Sequence, residues 1–182
     1  IRSLAGFARG SRPRPDVVAQ LLTAMKDSNE AVKRSAVYAL ARIRDDGIAR
    51  DLSKLKDDKD PGVRVQVALA LSSATNRYSE AGAVLVSMLR DRDKGVRVAV
   101  IEAIANRKVQ AAFNPLIRLV NYPDVKVKRA VYRALLALRN SDNRDMLRMQ
   151  FRKGMGVNDS EVRISCIKAL AEKTVIADMD AL

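Results

Sequence analysis

The chain has 182 residues, of which 48% are hydrophobic and only 4% aromatic, and it contains neither tryptophan nor histidine. The missing histidine excludes metal centres built on histidine, and any nucleophile activation or acid–base relay that depends on it. With 34 Lys and Arg against 21 Asp and Glu, the formal net charge is +13, which favours acidic partners of any kind, nucleic acid among them.

The apolar runs and the cysteine content favour a cytoplasmic protein. No run approaches the roughly 18 apolar residues that a bilayer crossing needs, and no signal peptide is visible at the start. The single Cys166 argues against a secreted fold held together by disulfides. The sequence therefore predicts a cytoplasmic location without a membrane partner, and it indicates no metal or cofactor.

The first predicted element is a helix over residues 1–10. Ile1, Leu4 and Phe7 have the spacing of one helical face, and they fit the end of the second helix of a repeat whose beginning is missing. Residues 9–15 contain two prolines and three arginines, which predicts a longer turn.

After this turn the chain repeats one phrase five times: a small polar or acidic residue, Val three positions later, then Lys or Arg, then Ala followed by Leu or Ile. The anchoring valines are Val32, Val63, Val96, Val127 and Val162, separated by 31, 33, 31 and 35 residues. A period in this range predicts a solenoid of stacked units, none of which can bury its apolar face alone.

Each repeat is predicted to be a helix, a short turn and a second helix. Counted from the valine as position 0, small or apolar residues fall at positions +4, +7 and +8, the stripe of one helix face. Cys166 stands at position +4 of the last repeat, which predicts a small core side chain. An earlier helix is marked at position −11 by Leu21, Leu52, Leu85, Leu116 and Phe151, and the turns between carry Asn or Asp suited to capping the second helix.

The pattern predicts one all-α array over residues 1–182. Its repeats are 16–46, 47–78, 79–108, 109–140 and 141–174, with a partial first helix at 175–182. Neither end shows the polar cap that terminal repeats normally carry, so we expect the chain to be part of a longer array or assembly.

At these residues the sequence resembles the HEAT repeat, in the short-turn variety of phycobilisome-lyase-like proteins. The resemblance is carried by the phrase D-x-D-x-x-V-R-x-x-A-x-x-A-L, which the second repeat matches from Asp58 to Leu71 and the third from Asp91 to Ile104. It departs at Tyr122 and Val157, where the other turns tend to carry the first Asp. The resemblance spans residues 16–174 and implies a right-handed α-solenoid, but it says little about function.

The base at position +1 has two interpretations. Lys33, Arg64, Arg97, Lys128 and Arg163 could meet nucleic acid, but each follows the acidic or Asn residue of its turn by four positions. HEAT arrays have an Asp–Arg ladder along the stack, so the resemblance favours a structural role.

Positions +2, +6 and +9 point away from the buried stripe. In HEAT-like solenoids this face lines the concave groove, so the resemblance implies a partner-binding groove that contains Arg34, Tyr38, Val65, Leu69, Val98, Glu102, Arg129, Arg133, Ile164 and Lys168. An apolar centre of Val65, Leu69 and Val98 with a basic rim suits an acidic, amphipathic peptide. The alternative is that tight curvature buries these three side chains between neighbouring helices.

A second basic feature is formed by Arg144, Arg148 and Arg152, which share one face of the first helix of the fifth repeat, on the convex side. This face could be solvated and paired with Asp142 and Asp145. It could instead be a phosphate-binding ridge.

The leading functional prediction is a non-catalytic scaffold that binds an acidic or amphipathic protein segment in the concave groove. No nucleophile–base or metal constellation supports an enzyme. One alternative is nucleic-acid binding through the basic surface, although only four Tyr and three Phe are present for base stacking. The resemblance adds another, a lyase-like chaperone subunit.

Overall fold

The computed structural model describes residues 14–75 and 77–179, and in these residues it is built from helices with no strand. The predicted partial helix over residues 1–10 lies outside the described residues. The helices are α1 (Pro15–Ala24), α2 (Glu30–Ala41), α3 (Asp46–Ser53), α4 (Pro61–Ser73), α5 (Ala81–Met88), α6 (Lys94–Arg107), α7 (Phe113–Ile117), α8 (Val125–Ala137), α9 (Arg144–Gly154) and α10 (Ser160–Met179), with a 3-10 turn at Gln110–Ala112.

The helices form five consecutive pairs, and the predicted all-α repeat architecture is confirmed. One predicted boundary is wrong. We expected a new first helix to open at residue 175, but α10 continues without a break from Ser160 to Met179. The physical reason is that residues 170–179 contain neither Gly nor Pro, so nothing in this stretch interrupts the helix.

The chain divides into two compact units, residues 1–78 and 79–182. Each unit is described by itself below. That all five repeats form a single array therefore stays a prediction.

Acidic or amide side chains cap the second helices, as the turns predicted. Asn29, Asp60, Asp93 and Asp124 each accept a hydrogen bond from an amide in the first turn of α2, α4, α6 and α8. Asp159 accepts one from the Val162 amide at the start of α10. Such a cap stabilises a helix by about 1 kcal/mol, so each second helix has a fixed starting point.

The predicted stripe forms the core. Positions 0 and +4 are buried in four and five of the repeats respectively, with Cys166 fully enclosed. Burial raises the pKa of the Cys166 thiol to about 11, which suits a packing role. Val32 is the exception, with 41% of its surface exposed. Val63, at position 0 of the second repeat, packs into the apolar cluster of the first repeat. The residues that precede the first repeat, 1–13, lie outside the described part, so the equivalent contact of Val32 is not described.

No helix in the described part of the chain has both the length and the apolar character that a membrane crossing requires.

Candidate partner-binding surface

The basic side chains at position +1 bind groups in the turns that precede the second helices. Lys33 Nζ lies 2.7 Å from Asp58 Oδ2 of the next repeat. Arg64 donates to the Asp58 carbonyl at 2.6 Å, and Arg163 donates to the Val157 carbonyl at 3.0 Å. The side chain of a helical residue leans toward the helix N-terminus, which brings the two arginines back to the carbonyls of the turn that precedes their helix. All three side chains therefore have structural partners, as predicted for this position.

The arginines at position +2 pair with the capping aspartate of the following repeat. Arg34 Nε is 2.6 Å from Asp60 Oδ2. Arg129 binds Asp159 through both nitrogens of its fork, at 3.0 Å for Nε to Oδ1 and 2.8 Å for Nη2 to Oδ2. A helical wheel places these arginines on the outer face, but it does not reveal that the capping aspartate of the following repeat lies beside each of them. Part of the positive charge of the predicted groove is thus already neutralised.

These contacts shift the pKa of the carboxyls. The hydrogen bond from Arg129, assisted by the Val162 amide, lowers the pKa of Asp159 from 3.8 to about 2. Burial by itself would raise the pKa of Asp60, but the hydrogen bonds from Arg34 and the Gly62 amide outweigh it, so that this pKa is lowered too. Both carboxylates are therefore charged at neutral pH, and each ties one second helix to the next.

Arg129→Gln is expected to raise the pKa of Asp159 from about 2 toward 3.8, measured by following its carboxyl carbon by NMR during an acid titration. Because the folded-state pKa is depressed, the pair stabilises the fold fully above pH 4. This contribution is lost as the pH falls toward 2. Arg148→Gln, on another helix, is the control and should leave the Asp159 titration unchanged. An unaltered pKa in Arg129→Gln would contradict the assigned cause.

In the first unit, position +6 presents two large exposed side chains on packed neighbouring helices. Tyr38 on α2 is 50% exposed and Leu69 on α4 is 48% exposed. The guanidinium of Arg42 stacks over the Tyr38 ring at 4.9 Å and donates to its hydroxyl. Val65, one turn before Leu69, is half-buried. Curvature or packing therefore covers part of Val65 but leaves Leu69 accessible.

In the second unit the same face is more polar. Arg133 Nη2 and Glu102 Oε1, both at position +6 of adjacent second helices, lie 3.6 Å apart. Val98 is half-buried, whereas Ile164 and Lys168 on α10 are exposed. Side chains at position +6 of successive second helices thus meet across the outer face of this unit. Whether Val98 completes an apolar centre with Val65 and Leu69 stays a prediction.

The predicted phosphate ridge lies on α9, where Arg144, Arg148 and Arg152 are all exposed. No ion pair joins Arg148 or Arg152 to any residue in the described ranges. Asp142, one of their expected partners, accepts a hydrogen bond from Ser141 instead. The interpretation of a fully paired face is therefore not supported for these two arginines.

The described residues offer no obvious reaction centre. They contain no group of three or more Cys, Asp or Glu side chains placed to hold a metal ion. One surface depression of about 450 Å³ is lined by α1 and the turn after it, and another of about 360 Å³ by the start of repeat four and the turn that leads into repeat five.

Comparison with known proteins agrees with this architecture. A family model for HEAT repeats matches residues 1–72, 18–97 and 82–171, which confirms the resemblance in the sequence. None of the curated proteins compared matches the chain.

Among solved structures, the complex of CpcE and CpcF of phycocyanin lyase from Nostoc sp. PCC7120 is similar, with a TM-score of 0.71 and 20% identity over 92% of this chain and 68% of that one. A designed armadillo repeat protein in complex with the peptide (KR)4 has a TM-score of 0.67 and 22% identity, over 86% of this chain and 81% of that one. At such identities the likeness establishes the fold alone. Together with the family model, it shows that the chain belongs to the HEAT-repeat family.

Proposed function

We propose that this protein is a non-catalytic scaffold that binds an acidic, amphipathic segment of a partner protein on the outer face of its second helices. The observation that carries the proposal is the exposure of Tyr38 and Leu69 at equivalent positions of the packed helices α2 and α4. Exposed large apolar side chains that lie together mark interaction sites. Aromatic side chains flanked by arginine are typical anchors of protein interfaces.

The charge of the protein supports an acidic segment. The net charge is +13, and in the first unit the guanidinium of Arg42 adds a cation beside Tyr38. The designed armadillo protein that resembles this chain binds (KR)4, a basic peptide. A basic solenoid would instead take an acidic segment, with apolar residues for Tyr38 and Leu69 and a carboxylate for Arg42.

Leu69→Asp is expected to weaken binding of such a segment by at least about tenfold, because it places a charge where an apolar side chain should be buried. The measurement is fluorescence anisotropy with acidic amphipathic peptides selected on the wild-type protein. The far-UV circular dichroism should not change, because Leu69 is half exposed. Val125→Asp alters another exposed apolar residue, at the start of α8, and should bind as wild type does. If Leu69→Asp unfolded, or if it bound the peptide as tightly as wild type does, this face would not be the binding site.

The charge part of the proposal is best tested at Arg42, which lies beside Tyr38 in the same unit. Arg42→Gln removes the charge of an exposed side chain, so it should weaken binding of the acidic peptide without unfolding the protein. Arg34→Glu would be a poorer choice, because it would place like charges at the Asp60 cap.

Nucleic acid is the second candidate, and the exposed Arg148 and Arg152 favour it. A salt titration against mixed-sequence DNA and RNA separates the two functions. Contact of about six cations with phosphate would give a log–log slope near −5, whereas negligible binding at physiological salt would leave the protein scaffold. The lyase-like alternative is supported only by the fold that this chain shares with the complex of CpcE and CpcF.

A further inference from the structure

The surface depression between the start of repeat four and the turn that leads into repeat five has a mixed lining. Its volume is about 360 Å³. Phe113, which is half-buried, and Met146, which is 42% exposed, form its apolar wall. The rest of the lining is polar, with the side chains of Gln110, Asn114, Asn140, Asp142 and Asn143. An apolar wall beside a few convergent polar groups is the usual make-up of a ligand site.

The lining lies on a surface that the stacking of repeats leaves open. Met146 stands at position −16, which is exposed in every repeat, namely in Asp16, Gly47, Glu80, Ala111 and Met146. Asn114 stands at position −13, which is likewise exposed in all five repeats. These positions are exposed also in the repeats that another repeat follows, so their exposure does not depend on where the chain ends.

Hydrogen bonds hold the polar side of the depression in place. Asn140 and Asn143 each accept from the backbone amide of the other at 3.0 Å, and Asn143 Nδ2 donates to the Leu138 carbonyl at 2.9 Å. Asn140 Nδ2 donates to Gln110 Oε1 at 3.1 Å, which ties this turn to the start of repeat four. The lining is therefore ordered before any ligand binds, which lowers the cost of binding.

Gln110 keeps a donor that its counterpart in the first unit lacks. The counterpart at position −17 is Asp46, whose two oxygens bind the amide and the hydroxyl of Thr75. Gln110 accepts from Asn140 in a similar way, but its Nε2 donates to no group in the described part of the chain. The amide therefore serves the turn with its oxygen and has its nitrogen left for a ligand.

The carboxylate of Asp142 decides which kind of ligand fits. Its Oδ1 accepts from Ser141 Oγ at 2.9 Å, which leaves Oδ2 open, and the Asn114 side chain makes no hydrogen bond to the described residues. A carboxylate here repels an acidic peptide, but it can accept from the exocyclic amino group of a nucleobase while amides bind the same edge of the base. The apolar wall offers the surface on which single-stranded bases stack.

Two cations flank the depression. Lys108 lies two residues before Gln110, and Arg118 follows Asn114 by one helical turn, about 6 Å along the axis. Both are exposed, and within the described ranges neither forms an ion pair. Lys108 has a φ of 53°, which glycine adopts more easily, so the chain carries a cation where the backbone favours glycine. A strand with one base in the depression would bring its neighbouring phosphates close to these flanking cations.

We propose that this depression binds one base of a single-stranded nucleic acid, and that the base is cytosine or adenine, which carry an amino group on the edge used for pairing. The base lies against the apolar wall with its amino group on Asp142, and the neighbouring phosphates contact the flanking cations. The site is separate from the outer face of the second helices and does not rest on the function proposed above. It is also distinct from Arg148 and Arg152.

The test measures binding of labelled oligo(rC), oligo(rA) and oligo(rU) of equal length to the full chain by fluorescence anisotropy. The three strands carry the same phosphates, so a difference in affinity reports recognition of the base. Wild type should bind oligo(rC) or oligo(rA) at least about tenfold more tightly than oligo(rU), the discrimination that one well-placed base contact provides.

Two variants separate the base from the phosphates. Asp142→Ala should abolish the preference over oligo(rU), whereas Arg118→Gln should weaken all strands alike and reduce the slope of log affinity against log salt by about 1. Lys126→Gln is the matched control, because it removes an exposed cation at the opposite end of α8 from Asn140, and it should bind as wild type does. All three changes lie at exposed side chains, and circular dichroism verifies the fold.

Equal binding of the three strands by wild type would overturn the proposal, and so would a preference that Asp142→Ala retains. Absence of binding to every strand at physiological salt would overturn it as well. If no strand bound but an acidic peptide did, with an affinity that Arg118→Gln lowered, the occupant would be a protein segment and not a nucleic acid.

Discussion

Gly154→Ala is expected to lower the free energy of unfolding by about 2 kcal/mol, the usual cost of forcing an extra methyl group into a packed core. An added Cβ would lie 2.7 and 2.9 Å from two atoms of the Tyr132 ring, and closer still to Cys166 Sγ. Both neighbours are buried and have little room to withdraw. The loss should appear although alanine is the better helix former by up to about 1 kcal/mol. Urea unfolding followed by circular dichroism measures it.

Gly156→Ala is the matched control, because a Cβ there meets only the Lys153 carbonyl at 3.5 Å. It should change the stability by no more than about 0.5 kcal/mol. Cys166→Ala removes the closest obstacle, so the double variant Gly154→Ala/Cys166→Ala should lose less stability than the sum of the two single changes. If Gly154→Ala were as stable as wild type, the close approach of α9 to Tyr132 and Cys166 would be wrong.

The repeat period and the caps could be predicted because they depend on local chemistry. A valine every 31 to 35 residues and an Asp or Asn before each second helix specify helix pairs and where the second helix starts. The same pattern correctly predicted that Cys166 is a core side chain. These signals arise within one repeat and do not depend on contacts with the neighbouring repeats.

Other features depend on neighbours that are distant in sequence. The pairing of Arg34 with Asp60 and of Arg129 with Asp159 joins residues 26 and 30 positions apart, so a single helical wheel made these arginines look available to a partner. The repeat pattern does not explain Gly154 either. Its reason is the close approach of Tyr132, which only the packed structure reveals.

The candidate site is known less well than the fold for a related reason. A helical wheel gives the direction in which a side chain points but not whether a neighbouring helix covers it. Val65 and Leu69 have the same predicted direction, yet Val65 is half-buried and Leu69 is exposed.

Arg64→Met is expected to destabilise the protein by about 2–3 kcal/mol, measured by urea unfolding. Arg64 is only 3% exposed, and its Nη1 donates to the carbonyls of Asp58 at 2.6 Å and Lys59 at 3.3 Å. Methionine keeps much of the apolar stem but removes the donors, so these carbonyls lose a charge-assisted bond. Arg163→Met changes the same repeat position where the side chain is half-buried and donates to Val157 at 3.0 Å. It should cost only about 1 kcal/mol, because water can replace the lost donor there. Equal losses at the two sites would mean that burial does not set the strength of this contact, and that position +1 contributes alike in both repeats.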